Sequence, residues 1–194
     1  MKTLNNNVNQ NTATGSVAAA PKQTVYAFVD GSGLNPGLGL AGATSVCGWA
    51  AMFIHGSKVL ATIGGQLKGD SGKAECKAFE EALRKWNPSL YNLVIVTDYQ
   101  DHLGTLEFIA KGKSQYKGEN HKEVRKILSE KGIQLHPKTS QKSGKVVSSC
   151  GGLTVLWVKA HTGDSVDPKT LAFLQQGNRA IDQVTGEYKK GIRK

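Results

Sequence analysis

The stretch VYAFVDGSGLNPG, residues 25–37, joins an apolar run to an acid and then to several glycines. The apolar part predicts a core strand over Thr24–Asp30. A carboxylate at the end of such a strand is costly unless a cation or hydrogen bonds neutralise it. Asp-Gly is also a common turn dipeptide, so Asp30 alone indicates either a turn or a functional acid. The rest of the chain decides between these two interpretations.

The chain has the size and composition of one soluble domain. Its 194 residues are 39% hydrophobic and 21% charged, which is enough for one core and short for two. No apolar run is long enough to span a bilayer, and the first residues lack a secretory pattern. Cys47, Cys76 and Cys150 have no metal-ligand spacing and indicate buried thiols in a reducing compartment. We therefore expect a cytoplasmic protein that is not associated with a membrane.

The net charge of +10 is concentrated in two segments. Between Lys111 and Lys145, ten Lys and Arg residues stand against three Glu residues, and the last six residues add four cations. Concentrated basic segments favour a polyanionic partner, with nucleic acid as the first candidate. The alternative is a solvated basic surface that aids solubility.

Changes in hydrophobic period predict an α/β domain with a mixed sheet, because strands come first and then alternate with helices. Residues 1–23 show no period and predict a flexible tail, residues 24–188 predict the folded domain, and 189–194 a basic C-terminal tail. Residues 137–152 are expected to form a loop or hairpin insertion, and 164–176 a loop. The predicted strands are 24–30, 46–55, 58–64, 93–96 and 153–158, and the predicted helices lie near 72–86, 101–110, 119–130 and 167–188.

Three further acids occupy positions from which they could converge on Asp30. Asp98 ends a second buried strand, and functional groups gather at the carboxyl ends of strands in open α/β sheets. Glu75 shares a helical stripe with apolar residues, either as a functional acid or as a first-turn Glu favoured by the helix dipole. Asp182 lies early in an apolar-periodic helix, and His161 follows the fifth predicted strand.

Acids brought together in this way would repel one another unless divalent cations lie among them. Mg²⁺ suits such a site because it prefers oxygen ligands and retains several waters. Two ions roughly 3.5–4 Å apart can activate water and stabilise the leaving oxygen in phosphodiester hydrolysis. A basic protein with this cluster is therefore predicted to be a metal-dependent nuclease.

Six short motifs follow one another along the chain: DGS at Asp30, NPG at Asn35, AE at Glu75, TDxQ at Asp98, WVxxH at His161 and GNxxxD at Asp182. This order is typical of type 1 ribonuclease H, and the chain resembles that family over residues 24–188. The resemblance implies a catalytic domain with a five-stranded mixed sheet in the order 3-2-1-4-5 and helices on both faces. It also implies endonucleolytic cleavage of the RNA strand of an RNA–DNA hybrid, leaving 5′-phosphate and 3′-hydroxyl ends. We expect a monomer with no protein partner.

The resemblance implies a role for each matching position. Asp30 would bridge two Mg²⁺ ions, for which Mn²⁺ could substitute, while Asp98 and Glu75 complete their ligand shells and Asp182 holds the second ion. His161 would assist proton transfer or product release. Contacts to the minor groove or ribose near the cut are implied for Ser32, Asn35, Gln100 and Asn178.

The sequence also departs from the family pattern. Tyr99 replaces the usual Ser after the acid, and Ser71-Gly72 stands where many relatives have paired Asn. The tryptophan-rich basic handle of many bacterial members is absent, so the basic segment from Lys111 to Lys145 either replaces its grip on the DNA strand or is partly a solvated loop. Two alternative functions stay open: a nuclease of the same fold acting on DNA, and a non-cleaving module that binds hybrids or structured RNA.

Overall fold

The computed structural model describes residues 21–33, 45–112, 120–135, 146–148, 152–158 and 168–193. These residues form six strands in one sheet and four helices. The strands are β1 (Gln23–Ser32), β2 (Val46–His55), β3 (Lys58–Lys68), β4 (Tyr91–Thr97), β5 (Val146–Ser148) and β6 (Leu153–Trp157). The helices are α1 (Ser71–Lys85), α2 (Asp101–Ala110), α3 (His121–Glu130) and α4 (Pro168–Lys189).

The strand order β3-β2-β1-β4-β6-β5 places β1 inside the sheet. β1 pairs with β4 in parallel and β4 pairs with β6 in parallel, whereas β2 and β3 form an antiparallel meander on the other side of β1. The predicted order of five strands is confirmed, with β6 as the fifth. β5 adds a strand antiparallel to β6 at the edge, within the segment predicted to be a loop or hairpin insertion.

Two predicted boundaries were wrong. β3 continues through Gly64 and Gly65 to Lys68, because β2 pairs with it along its whole length. The helix predicted over 167–188 is confirmed as α4, so the loop predicted over 164–176 was wrong from Pro168 onward. Pro is favoured in the first turn of a helix, and Phe173 then anchors this turn against the rings of Tyr26 and Phe28, with centroid distances of 5.2 and 5.5 Å.

Two apolar cores cover the two faces of the sheet. Along β1, Ala27 and Val29 face the core formed with α1, α2 and α3, while Phe28 faces the core formed with α4. This alternation follows from the two-residue period of a strand. Helices on both faces are thus confirmed, and the end of β1 is enclosed between α1 on one side and α4 on the other.

Two of the three cysteines, Cys47 and Cys76, are buried free thiols, as predicted, and the Cys47 thiol donates to the Gly69 carbonyl at 3.1 Å. Cys150 and the N-terminal residues 1–20 lie outside the described residues. None of the helices in the described ranges combines the length and the apolar character needed to cross a membrane.

Two glycines of α4 are expected to respond in opposite directions to replacement by Ala. A Cβ at Gly186 would have no atom within 4 Å, so Gly186→Ala should stabilise the protein by about 0.5–1 kcal/mol through helix propensity. A Cβ at Gly177 would lie 2.6 Å from Cδ1 of the buried Phe28 ring, so Gly177→Ala should destabilise it by about 1–3 kcal/mol through overpacking. Urea unfolding of the two variants beside the wild type measures both changes. Equal effects would contradict this account of how α4 packs.

Candidate active site

The register between β1 and β4 brings the first two acids together. Phe28 is level with Val96, so Asp30 and Asp98, each two residues further on, lie side by side where the two strands end. Strand alternation turns both toward the face on which α4 packs. Asp30 is largely buried and Asp98 is exposed. The Asp98 backbone is held by Trp157, whose indole N–H donates to the Asp98 carbonyl at 2.8 Å.

Glu75 reaches the same point from α1, on the opposite face of the sheet. Asp70 caps this helix by accepting a hydrogen bond from the Lys73 N–H at 2.9 Å, which fixes where the helix begins. The backbone of Glu75 then passes so close to Gly31 that a Cβ on that glycine would lie 2.8 Å from the Glu75 Cα. Glu75 is only 7% exposed, so its carboxylate is sequestered beside Asp30.

The three carboxylates form a compact donor cluster. Asp30, Glu75 and Asp98 each offer an oxygen, and these oxygens all lie within 4.8 Å of one another. Asp30 Oδ2 and Glu75 Oε2 are buried, and within the described part of the chain neither has a hydrogen-bond partner. Buried acceptors of this kind are costly unless a cation or a proton satisfies them.

The electrostatics of the cluster favour neutralisation. Burial, and then the charges of Asp98 and Asp182, raise the pKa of Asp30 from 3.8 to about 6, against the opposing hydrogen bonds from Thr185 and the Gly31 backbone. Burial likewise raises the pKa of Glu75 well above its usual value, with Asp30 and Asp98 adding to the effect. Both shifts mean that the folded site disfavours ionised carboxylates unless positive charge is supplied.

The fourth predicted acid, Asp182, lies on α4 and is exposed. It is close enough to raise the pKa of Asp30, although the compact cluster of three does not include it. One turn further along α4, the buried Thr185 hydroxyl lies 2.7 Å from the Ile181 carbonyl and within hydrogen-bond reach of Asp30, and its single proton is donated to one of these two acceptors at a time. Thr185 was missed from the sequence; its spacing of three from Asp182, on the same helix face, was the available signal.

His102, four residues after Asp98, was also missed. Its fully buried ring stacks on Phe79 at a centroid distance of 4.2 Å and meets the edge of Tyr99 at 5.0 Å. Burial lowers its pKa to about 3, although the Glu75 backbone favours the protonated ring to a smaller extent. Neither ring nitrogen makes a well-formed hydrogen bond to any described residue. His102 is therefore a neutral packing residue that supports Tyr99 beside the site.

Three of the four predicted substrate-contact residues lie in the described part of the chain, each close in sequence to one of the predicted acids. Ser32 and Gln100 follow Asp30 and Asp98 by two residues each, and Gln100 is exposed at the start of α2. Asn178 lies one helical turn before Asp182, and its Nδ2 is buried with no hydrogen-bond partner among the described residues. Asn35 and the predicted proton-transfer residue His161 lie outside the described residues.

The basic segment from Lys111 to Lys145 is described only in part, because 113–119 and 136–145 lie outside the described residues. Its described centre is α3, which packs on α1, where Arg84 forms ion pairs with Glu81 and with Glu123 of α3. Binding of a DNA strand by this basic segment stays a prediction.

The fold and the acidic cluster can now be compared with known proteins. The RNase H family profile matches residues 22–189, which is most of the chain. The chain belongs to the ribonuclease H family. As a member of that family it has a nuclease fold, and three of the four predicted acids, Asp30, Glu75 and Asp98, lie together near the ends of β1 and β4.

Three solved structures of foamy virus proteins are similar in fold to this chain. The solution structure of the prototype foamy virus RNase H domain has a TM-score of 0.56 at 15% identity, covering 88% of this chain and 96% of that one. A foamy viral protease-reverse transcriptase in complex with dsDNA has a TM-score of 0.55 at 15% identity, and the match covers 86% of this chain and 94% of that one. The native prototype foamy virus protease-reverse transcriptase has a TM-score of 0.56 at 18% identity, and the match covers 92% of this chain and 22% of that one. No curated protein matches this chain significantly. At these identities the structures establish the fold alone.

Proposed function

We propose that this ribonuclease H family member is an endoribonuclease that hydrolyses the RNA strand of RNA–DNA hybrids. One observation carries the proposal: three carboxylates lie within 4.8 Å of one another, and two of them have a buried oxygen without a partner. A merely structural cluster of acids would be satisfied by hydrogen bonds or by neighbouring basic side chains. The net charge of +10 agrees with a polyanionic substrate.

The donor set fits divalent metal ions, because it consists of carboxylate oxygens in a partly buried cluster. Asp30, Glu75 and Asp98 would hold two Mg²⁺ ions together with Asp182, with Asp30 as the shared ligand, and Mn²⁺ is expected to substitute. When bound, such ions lower the pKa of a water molecule and stabilise the oxygen that leaves the phosphate. The expected products carry 5′-phosphate and 3′-hydroxyl ends.

The remaining residues would position the hybrid and exclude DNA duplexes. Ser32 and Gln100, which follow the two strand-end acids, and Asn178, one helical turn before Asp182, would contact ribose or the minor groove, as would Asn35. Contact with 2′-hydroxyls in a wide, shallow minor groove distinguishes RNA from DNA. His161 would assist proton transfer or product release. We further propose a monomeric, cytoplasmic enzyme in which residues 24–188 form the catalytic domain.

Without metal, the protein should become less stable as the pH rises. Folded Asp30 keeps its proton up to a pKa of about 6, whereas the unfolded value is 3.8. The folded state therefore binds more protons in this interval, and stability is lost as the pH rises through it. Between pH 5 and pH 7.5 in EDTA, the free energy of unfolding should fall by about 1 kcal/mol or more from Asp30 alone. Urea unfolding at the two pH values measures the change.

Saturating Mg²⁺ should reverse this pH dependence, because metal ligands bind only when deprotonated. Asp30→Asn provides the control, since it should remove part of the slope observed in EDTA. A slope that is the same with EDTA, with Mg²⁺ and in Asp30→Asn would contradict the placement of a cation at this cluster.

The proposed reaction is tested with end-labelled RNA–DNA hybrid in Mg²⁺, with wild type beside Asp98→Asn. Matched single-stranded RNA, duplex RNA and duplex DNA serve as substrate controls. We expect internal cuts in the RNA of the hybrid only, lost with EDTA and with Asp98→Asn. Digestion of the products by an exonuclease that requires a 5′-phosphate identifies the ends.

The two alternative functions give different results in the same assay. Cleavage of duplex DNA would indicate another nuclease of this fold. Tight binding of the hybrid without cleavage, in both Mg²⁺ and Mn²⁺, would indicate a binding module and overturn the proposed reaction.

A further inference from the structure

A hydroxyl group approaches Asp30 from the helix that covers that side of the sheet. It belongs to Thr185 of α4, which is fully buried and lies within hydrogen-bond reach of the Asp30 carboxylate. Thr185 follows Asp182 by three residues, on the same face of the helix. Its hydroxyl is thus a buried polar group beside a proposed metal ligand, and burying such a group is costly unless it makes a hydrogen bond.

Two close approaches fix α4 over the end of β1. Gly177 packs against the ring of Phe28, two residues before Asp30, and a Cβ on this glycine would lie 2.6 Å from Cδ1 of the ring. On β2, Gly48 is level with the residue two positions after Asp30, and a Cβ there would collide with the Thr185 carbonyl oxygen. Neither contact involves the hydroxyl, so the packing of α4 alone sets where Thr185 lies.

The Thr185 hydroxyl has two acceptors within reach and only one proton. Its oxygen lies 2.7 Å from the Ile181 carbonyl, as is common for a threonine inside a helix. That carbonyl is also the regular partner of the Thr185 backbone N–H in α4. A hydrogen bond to an ionised carboxylate is about twice as strong as one between neutral groups. Ionised Asp30 is therefore the preferred acceptor, and the Ile181 carbonyl keeps its backbone partner when the hydroxyl turns away.

We propose that Thr185 is a positioning residue whose hydroxyl donates to ionised Asp30 and holds this carboxylate in the orientation that binds the metal ions. The inference rests on the proposed function and adds to it a residue outside the ligand set. A carboxylate has about four lone-pair sites, so one hydrogen bond restricts its rotation and still leaves acceptor sites for metal. Removing an outer partner of a metal ligand typically lowers metal affinity or activity by about 10–100-fold.

Three substitutions separate the hydroxyl from the shape of the side chain. Thr185→Val keeps the branched shape and removes the hydroxyl, and Thr185→Ala is a second variant without the hydroxyl. Thr185→Ser keeps the hydroxyl and removes the methyl group. Thr105→Val is the matched control, because Thr105 is also buried and its hydroxyl donates to Asn120 at 3.3 Å instead of to an acid of the cluster. Urea unfolding in EDTA establishes that each variant is folded.

Binding of Mg²⁺ alone to the full chain, without nucleic acid, is measured by isothermal titration calorimetry at pH 7.5, and binding of Mn²⁺ in the same way. We expect Thr185→Val and Thr185→Ala to weaken binding about tenfold or more. Thr185→Ser and Thr105→Val should stay within a few-fold of the wild type. In the hybrid assay, Thr185→Val should need about tenfold more Mg²⁺ for half-maximal cleavage, with the KM for the hybrid unchanged.

A packing role for Thr185 gives the reverse order of effects, because Val preserves the branched shape and Ser does not. Wild-type metal affinity in Thr185→Val, or a loss in Thr185→Ser as large as that in Thr185→Val, would overturn the inference. So would a wild type that binds neither Mg²⁺ nor Mn²⁺. A wild type that binds Mg²⁺ and cleaves no hybrid would contradict the proposed function instead, and the metal titrations would still decide the role of Thr185.

Discussion

Asp30→Asn should lower the single-turnover rate of hybrid cleavage by about 10³-fold or more, because bound metal supplies several kcal/mol of stabilisation and each 1.4 kcal/mol is a factor of ten. Asp30 is the acid that the others surround: its pKa responds to Asp98 and Asp182, and its charge in turn raises the pKa of Glu75. Asn has the same shape but cannot supply the charged oxygen that a shared metal ligand needs. Rapid-quench measurements at saturating enzyme give the rate.

A second measurement separates lost chemistry from lost structure. In EDTA at pH 7.5, Asp30→Asn should be more stable than the wild type, by up to about 3 kcal/mol, because the raised pKa of Asp30 reports an ionised form that folding disfavours. An inactive variant that is also less stable would instead indicate a structural role for Asp30.

Asp101→Asn is the matched control for this substitution. Asp101 is exposed at the start of α2, three residues from Asp98, and its carboxylate accepts from the Tyr99 hydroxyl at 3.1 Å. It lies outside the cluster of three acids. Its rate should stay within a few-fold of wild type, and a loss as large as that of Asp30→Asn would mean that negative charge in general, rather than this cluster, drives the reaction.

The sequence predicted the parts of the site that depend on strand ends. Apolar runs that stop at Asp30 and Asp98 are visible in the sequence, and parallel pairing of the two strands makes their ends neighbours. In the structure Phe28 pairs with Val96, and this register brings Asp30 and Asp98, each two residues later, to the same height at the ends of the two strands. The strand order and the helices on both faces were implied by the resemblance to type 1 ribonuclease H, and the α/β pattern alone predicted only a mixed sheet.

What the sequence did not predict depends on contacts between distant elements. Thr185 acts through its approach to Asp30, and a threonine in a helix carries no local mark of such a contact. His102 is buried by Phe79 and Tyr99, whereas a histidine alone indicates an exposed or functional ring. The sequence predicted both a loop over 164–176 and a helix over 167–188, and the structure is helical from Pro168 onward, with Gly177 packed closely against the Phe28 ring. Local pattern cannot distinguish a helix breaker from a close approach.

Gly31→Ala should be the most damaging single-methyl change at the site, destabilising the protein by about 3 kcal/mol or more. The added Cβ would lie 2.5 Å from the Ala74 carbonyl carbon and 2.8 Å from the Glu75 Cα. Both atoms belong to the backbone, so no side chain can rotate away and α1 itself has to move. Glu75 would move with it, and cleavage should fall together with stability.

The control for Gly31→Ala is Gly186→Ala, which adds the same methyl group where a Cβ has no atom within 4 Å. Urea unfolding in EDTA measures the effect of packing alone, and hybrid cleavage in Mg²⁺ measures its effect on the site. A stable and active Gly31→Ala would contradict the structure at this point. The glycine after Asp30 is thus more than a turn residue: by its lack of a side chain it lets a helix on one face of the sheet bring Glu75 to an acid that points toward the other face.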